Sequence, residues 1–66
     1  MKPIYPGIRI RLSGLGGNAF VIIAECRKAM RKNGFNDEAV EKFTTEARSG
    51  DYDKVLRTVM KYFTTH

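Results

Sequence analysis

The sequence predicts a small single-domain α+β fold, mostly α, in the order β-α-α-α. Three observations carry that reading. Ile8, Ile10 and Leu12 alternate with Arg9 and Arg11, the period-2 pattern of a strand with one buried face. Apolar residues then recur at three- and four-residue spacing in three separate runs, the period of amphipathic helices. Asn18, Asn36 and Asp51 precede those runs, and Gly34 and Gly50 follow the first two. These are the residue types that cap and stop helices.

The elements follow in order. Residues 1–7, where Pro3 and Pro6 flank Ile4 and Tyr5, read as an N-terminal extension, and residues 8–12 as the strand. A lone strand leaves its backbone groups unpaired and needs a partner. Lys2 to Tyr5 folding back, the C-terminal Phe63 to His66, and the same strand of a second subunit are the three candidates. Pro6-Gly7 matches the twist of a hairpin poorly, which disfavours the first.

Helix one is expected over 19–33, capped by Asn18. Its stripe is Ala19, Ile22, Ile23, Cys26, Ala29, Met30 and Asn33. Gly34 supplies the left-handed residue beyond it, and Phe35 folds back on the last turn. Helix two is expected over 37–48, with Asn36 as cap and Asp37 and Glu38 at the positive end of its dipole. Its apolar face is Val40, Phe43 and Ala47. Helix three, over 52–63, carries the longest unbroken stripe: Tyr52, Val55, Leu56, Val59, Met60 and Phe63. All six are expected to face the core.

A chain of 66 residues buries only about 60% of its unfolded surface, so its core is marginal. Cys26 is the single cysteine, which excludes an internal disulfide. No Cys, His and carboxylate cluster has metal-site spacing, and no cofactor is expected. Self-association is the remaining staple, so a homo-oligomer is expected, with a dimer favoured. The longest apolar run, residues 19–24, is stopped by Glu25, far short of the ~20 residues that span a bilayer. No membrane partner is expected. An unpaired cysteine without a secretory signal points to the cytoplasm.

Two landmarks carry a resemblance. Gly17-Asn18-Ala19-Phe20 follows a short strand, and Ser49-Gly50-Asp51-Tyr52-Asp53 precedes a helix bearing Leu56 and Met60-Lys61-Tyr62. From about Ile8 to Phe63 the chain resembles a group of short uncharacterised proteins of bacteria, phages and plasmids. The resemblance implies a stand-alone cytoplasmic protein of phage or mobile-element type. It implies no catalytic or binding residue.

The functional reading rests on charge. The formal net charge is +5, which favours anionic partners. Gly14-Leu15-Gly16-Gly17-Asn18-Ala19 formally matches a dinucleotide fingerprint. That fingerprint requires a second parallel strand directly after the helix, and none follows helix one. The glycines therefore read first as a sharp reversal capped by Asn18. The backbone N–H groups of Gly16, Gly17, Asn18 and Ala19 also suit an anion nest at a helix N-terminus.

Arg27, Lys28, Arg31 and Lys32 form two side-by-side i, i+4 pairs, read as one continuous exposed patch on helix one. Cations in the last turns of a helix also complement its dipole, which is the purely structural reading. Lys54, Arg57 and Lys61 make a second basic stripe, Arg9 and Arg11 line the strand, and helix two is acidic. Cys26 lies in an apolar stripe and reads as a core residue. His66 is terminal, expected to fray, and has no obvious carboxylate partner. An enzyme is not expected.

The reading is a non-enzymatic oligomeric binding protein for a phosphate-bearing ligand, either a nucleotide or a nucleic-acid backbone. Its site residues are Gly16, Gly17, Asn18, Arg27, Lys28, Arg31, Lys32, Arg9 and Arg11. The alternative is a protein-interaction module or inhibitor docking on an acidic host protein.

Overall fold

The computed structural model of the chain describes residues 2–12 and 18–66. It is mostly helical, with β1 (Tyr5–Ile10), α1 (Ala19–Lys32), α2 (Asp37–Ala47), α3 (Tyr52–Tyr62) and β2 (Phe63–Thr65) in that order. The α+β architecture is as expected, with one added element. Helix three ends at Tyr62, and Phe63 turns into a short strand in extended backbone. That strand answers the partner question: β1 pairs with β2, in parallel.

Pairing begins earlier than the alternation suggests. Tyr5 stands opposite Phe63, Arg9 opposite Thr64 and Ile10 opposite Thr65. Between the first two pairs β1 advances four residues while β2 advances one. Pro6 lies in that irregularity and has no N–H to give a ladder. The Thr64 hydroxyl instead donates to the Pro6 carbonyl at 2.8 Å. Beyond the strand ends, the Ile4 N–H donates to Lys61 O at 3.0 Å, and Leu12 N–H to His66 O at 2.9 Å. The His66 N–H in turn donates to Ile10 O. Part of the expected extension is thus sheet, and His66 is held by its backbone instead of fraying.

The helices obey their caps. Asn18 Oδ1 accepts the Phe20 N–H, Asn36 Oδ1 the Ala39 N–H, and Asp51 Oδ1 the Lys54 N–H. At the end of α1, Gly34 has φ +84°, a left-handed conformation that costs glycine little. The Gly34 N–H reaches Arg31 O and the Phe35 N–H reaches Met30 O, the paired bonds of a Schellman ending. Asn33 is the exposed C-cap of α1 and not a stripe residue.

The core gathers Ile8 and Ile10, then Ile22, Ile23, Cys26 and Met30 of α1, and Val40, Phe43 and Ala47 of α2. Val55, Val59, Tyr62 and Phe63 complete it. Its aromatic centre has Phe43 against Tyr62 at 5.2 Å between centroids and against Phe63 at 5.3 Å. Tyr5 packs edge-on against Phe35 at 4.8 Å, tying β1 to the α1–α2 corner.

Helix three corrects one expectation. Its buried face is Val55, Thr58, Val59 and Tyr62, while Tyr52 is 42% and Met60 49% exposed and Leu56 is half-buried. Two polar residues occupy places expected for apolar ones because hydrogen bonds satisfy their polar atoms. The Thr58 hydroxyl donates to Lys54 O at 2.7 Å, and the Tyr62 hydroxyl to Glu46 Oε1 at 2.8 Å. The helix is rotated so that Tyr52 and Met60 of its apolar stripe face outward.

Phe63 joins β2 to the core and is 1% exposed. Phe63→Ala should cost about 3–5 kcal/mol in denaturant melts. A loss below about 1 kcal/mol would contradict the docking of β2.

Candidate functional site

The predicted cationic patch on α1 is divided in two. Arg27 and Arg31 lie on the flank facing α2. Arg27 Nη1 donates to Thr44 Oγ1 at 3.1 Å, and its Nη2 meets Glu41 Oε1 at 3.1 Å. Arg31 Nη2 stands 3.8 Å from Asp37 Oδ1. Arg27 is therefore a half-buried interhelical strut and not a member of a continuous exposed patch. Thr44, itself buried, donates to Val40 O while accepting from Arg27.

Lys28 and Lys32 remain on the outward face of α1. Both are exposed and have no ion-pair partner among the described residues. With Glu25 and Ala29 they line a cleft of about 270 Å³. Arg9 and Arg11 alternate with the buried Ile8 and Ile10 and are exposed on the sheet, a separate layer. Gly16 and Gly17 lie outside the described residues. Asn18 is exposed, and its side chain is engaged as the α1 cap.

On α3, Arg57 pairs with Asp53 at 2.7 Å, and Lys61 Nζ with Glu46 Oε2 at 2.7 Å. The charge segregation seen in the sequence is thus partly complementarity. Acidic α2 lies between two basic helices and pairs with both. Glu46 receives Lys61 and the Tyr62 hydroxyl together. The hydrogen bond from Lys61, then that from Tyr62, hold its carboxyl below the usual 4.5. Burial, then the bond to Glu46, push the Tyr62 hydroxyl up from 10.0 to about 12.

Two further clefts had no clear sequence signal. One of about 600 Å³ lies along α2 between Glu38, Glu41, Glu46 and Lys42, an acidic surface unsuited to anions. Another, of about 210 Å³, opens where α1 and α3 begin, between Phe20 and Tyr52, with Arg48 and Asp51 at its rim. Phe20 is 71% exposed. Its place one position outside the helix-one stripe is the signal that sequence reasoning passed over.

Cys26 is fully buried, and burial followed by the nearby Glu25 raises its thiol to about 12. It is held as a neutral thiol, the unreactive form. Among the described residues, no group of three His, Cys, Asp or Glu side chains is placed to hold a metal. Nor is any helix there long and apolar enough to cross a membrane. No family model matches the chain, and comparison with curated proteins and with solved structures finds no match.

Two predictions follow from this charge arrangement. Arg27→Glu sets a carboxylate against Glu41 and removes the donor to Thr44 Oγ1, so it should cost about 1–3 kcal/mol. Lys28→Glu should stay within about 0.5 kcal/mol. Thermal melts of the two variants separate strut from surface charge, and equal losses would contradict the division.

The second concerns pH. A carboxyl whose folded pKa is lowered stabilises the fold above its unfolded pKa, and that stability is lost as pH falls through the folded value. A hydroxyl whose folded pKa is raised stabilises below its unfolded pKa of 10.0 and loses that contribution as pH climbs towards about 12. Glu46→Gln should therefore lower the melting temperature at neutral pH and reduce the acid-side loss below 4.5. An unchanged acid limb would contradict the Glu46 assignment.

Proposed function

We propose that the chain is a non-enzymatic binding protein for a phosphate-bearing polyanion, engaged through the outward face of α1. The observation that carries this reading is the Lys28–Lys32 pair, one turn apart, exposed, and left over after α2 has paired with its neighbours. Two ammonium groups at that spacing suit successive phosphates, to which lysine binds as a point charge.

The cleft between them favours a nucleic-acid backbone over a free nucleotide. It is lined by Glu25, Lys28, Ala29 and Lys32, with no aromatic side chain on which a base would stack. Nucleotide-sized ligands are usually held in concave, largely apolar pockets, whereas backbone binding needs an open cationic surface. Cys26, buried and neutral, offers no nucleophile, which supports a binding role over a catalytic one. Lys28 and Lys32 are the centre of the proposal. Arg9 and Arg11, exposed on a separate layer, belong to it only as further cationic surface.

Fluorescence anisotropy with labelled single-stranded and duplex oligonucleotides, across a salt series, tests the reading. Binding should weaken steeply with salt. The Lys28→Glu, Lys32→Glu double variant should lose affinity for every sequence alike, with the salt slope falling by about 1 per phosphate contact removed. Absence of binding at low salt, or binding untouched by the double variant, would overturn the proposal. Retention of an acidic protein partner under those conditions would favour protein docking instead.

A further inference from the structure

The apolar residues that α3 leaves exposed or half-buried form a band. Tyr52, Leu56 and Met60 follow at i, i+4 and i+8, one above another beside the core face. The band continues past both ends of the helix. Phe20 flanks Tyr52 across the 210 Å³ cleft, and Ile4, 49% exposed, shares a cleft of about 340 Å³ with Met60. A row of large apolar side chains on so small a surface marks an interaction site.

Charges of both signs border the band. Asp51 lines the aromatic cleft, and Asp53 follows in the same first turn. Lys2 and Lys61 line the cleft at the Met60 end. Arg48 also borders the aromatic cleft, and Lys61 is held by Glu46, so each end carries both signs with opposite emphasis. The complementarity lies nearer the middle: Asp53 and Arg57, a salt-bridged pair within one chain, border the band with opposite signs, so a reversed copy sets each against its complement.

We infer that this band is a self-association surface, occupied by the same band of a second copy, antiparallel about a two-fold axis near Leu56. Such an interface is isologous: each contact occurs twice. The Phe20–Tyr52 end meets the Ile4–Met60 end of the other copy, where a thioether packs well against an aromatic ring. Along α3, Asp53 lies about 4.5 Å before Leu56 and Arg57 about 1.5 Å beyond it. The two-fold then brings Asp53 to within about 3 Å, along the axis, of the second copy's Arg57. The Arg57–Asp53 pair, 2.7 Å within one chain, becomes part of a four-charge group.

The inference does not depend on anion binding, because Lys28 and Lys32 stand on the outward face of α1. Association also supplies the staple that a marginal core lacks.

Sedimentation equilibrium at micromolar concentration tests it. The wild-type chain should sediment at twice its 7.5 kDa mass. Met60→Glu should halve that mass with its helical circular dichroism unchanged. The Asp53→Arg and Arg57→Asp variants should each be monomeric, and their equimolar mixture should regain the dimer mass, because opposite charges then face each other. This mixture decides the matter if Met60→Glu fails to fold. A wild-type chain that sediments as a monomer, or a dimer that survives Met60→Glu and both charge variants, would overturn the inference.

Discussion

The parallel pairing of the two chain ends is the constraint on which the rest of this structure depends. Pro6 and Thr64 meet although they are 58 residues apart in the chain. Parallel strands cannot be joined by a tight turn and need a long crossover, which α1, α2 and α3 provide together. Closing so long a loop has an entropic cost that local contacts do not recover. The return comes from what closure buries. Ile8 and Ile10 are sealed beneath the helices, and Phe63 is driven into the aromatic centre beside Phe43.

Much of this fold is legible in the sequence where the governing physics is local. Asn18, Asn36 and Asp51 cap the helices they precede, because a short polar side chain bonds a nearby backbone N–H without help from the rest of the fold. Gly34 is equally local. The partner of β1 is not, because hydrophobic alternation identifies a strand without saying what lies beside it. Nor does it show that Tyr5 belongs to the ladder across a proline. Thr58 and Tyr62 show the same limit in the core. Both look polar in sequence, yet hydrogen bonds to Lys54 and Glu46 permit their burial, and this displaces Tyr52 and Met60 towards solvent.

The candidate site was legible only in part, for a related reason. Arg27, Lys28, Arg31 and Lys32 are equivalent by spacing, but the approach of α2 from one side divides them. The two arginines meet Glu41 and Asp37, and the two lysines do not. Arginine suits the interhelical position because its planar fork can hold a carboxylate and a hydroxyl at once, as Arg27 does with Glu41 and Thr44. The molecule thus presents a cationic face on α1 and an apolar band along α3.

Native-state amide hydrogen exchange at the two ends of the sheet tests the central claim most directly. The Ile4 and Leu12 amides donate across to Lys61 and His66, one at each limit of the paired segment. If the joined termini hold the fold together, both should exchange only through the opening that also exposes Val40 and Val59 in the core, with a matching denaturant dependence. Exchange of Ile4 and Leu12 at the rate of an unstructured peptide, while Val40 and Val59 stay protected, would contradict it. The helices would then form a stable body without the strands.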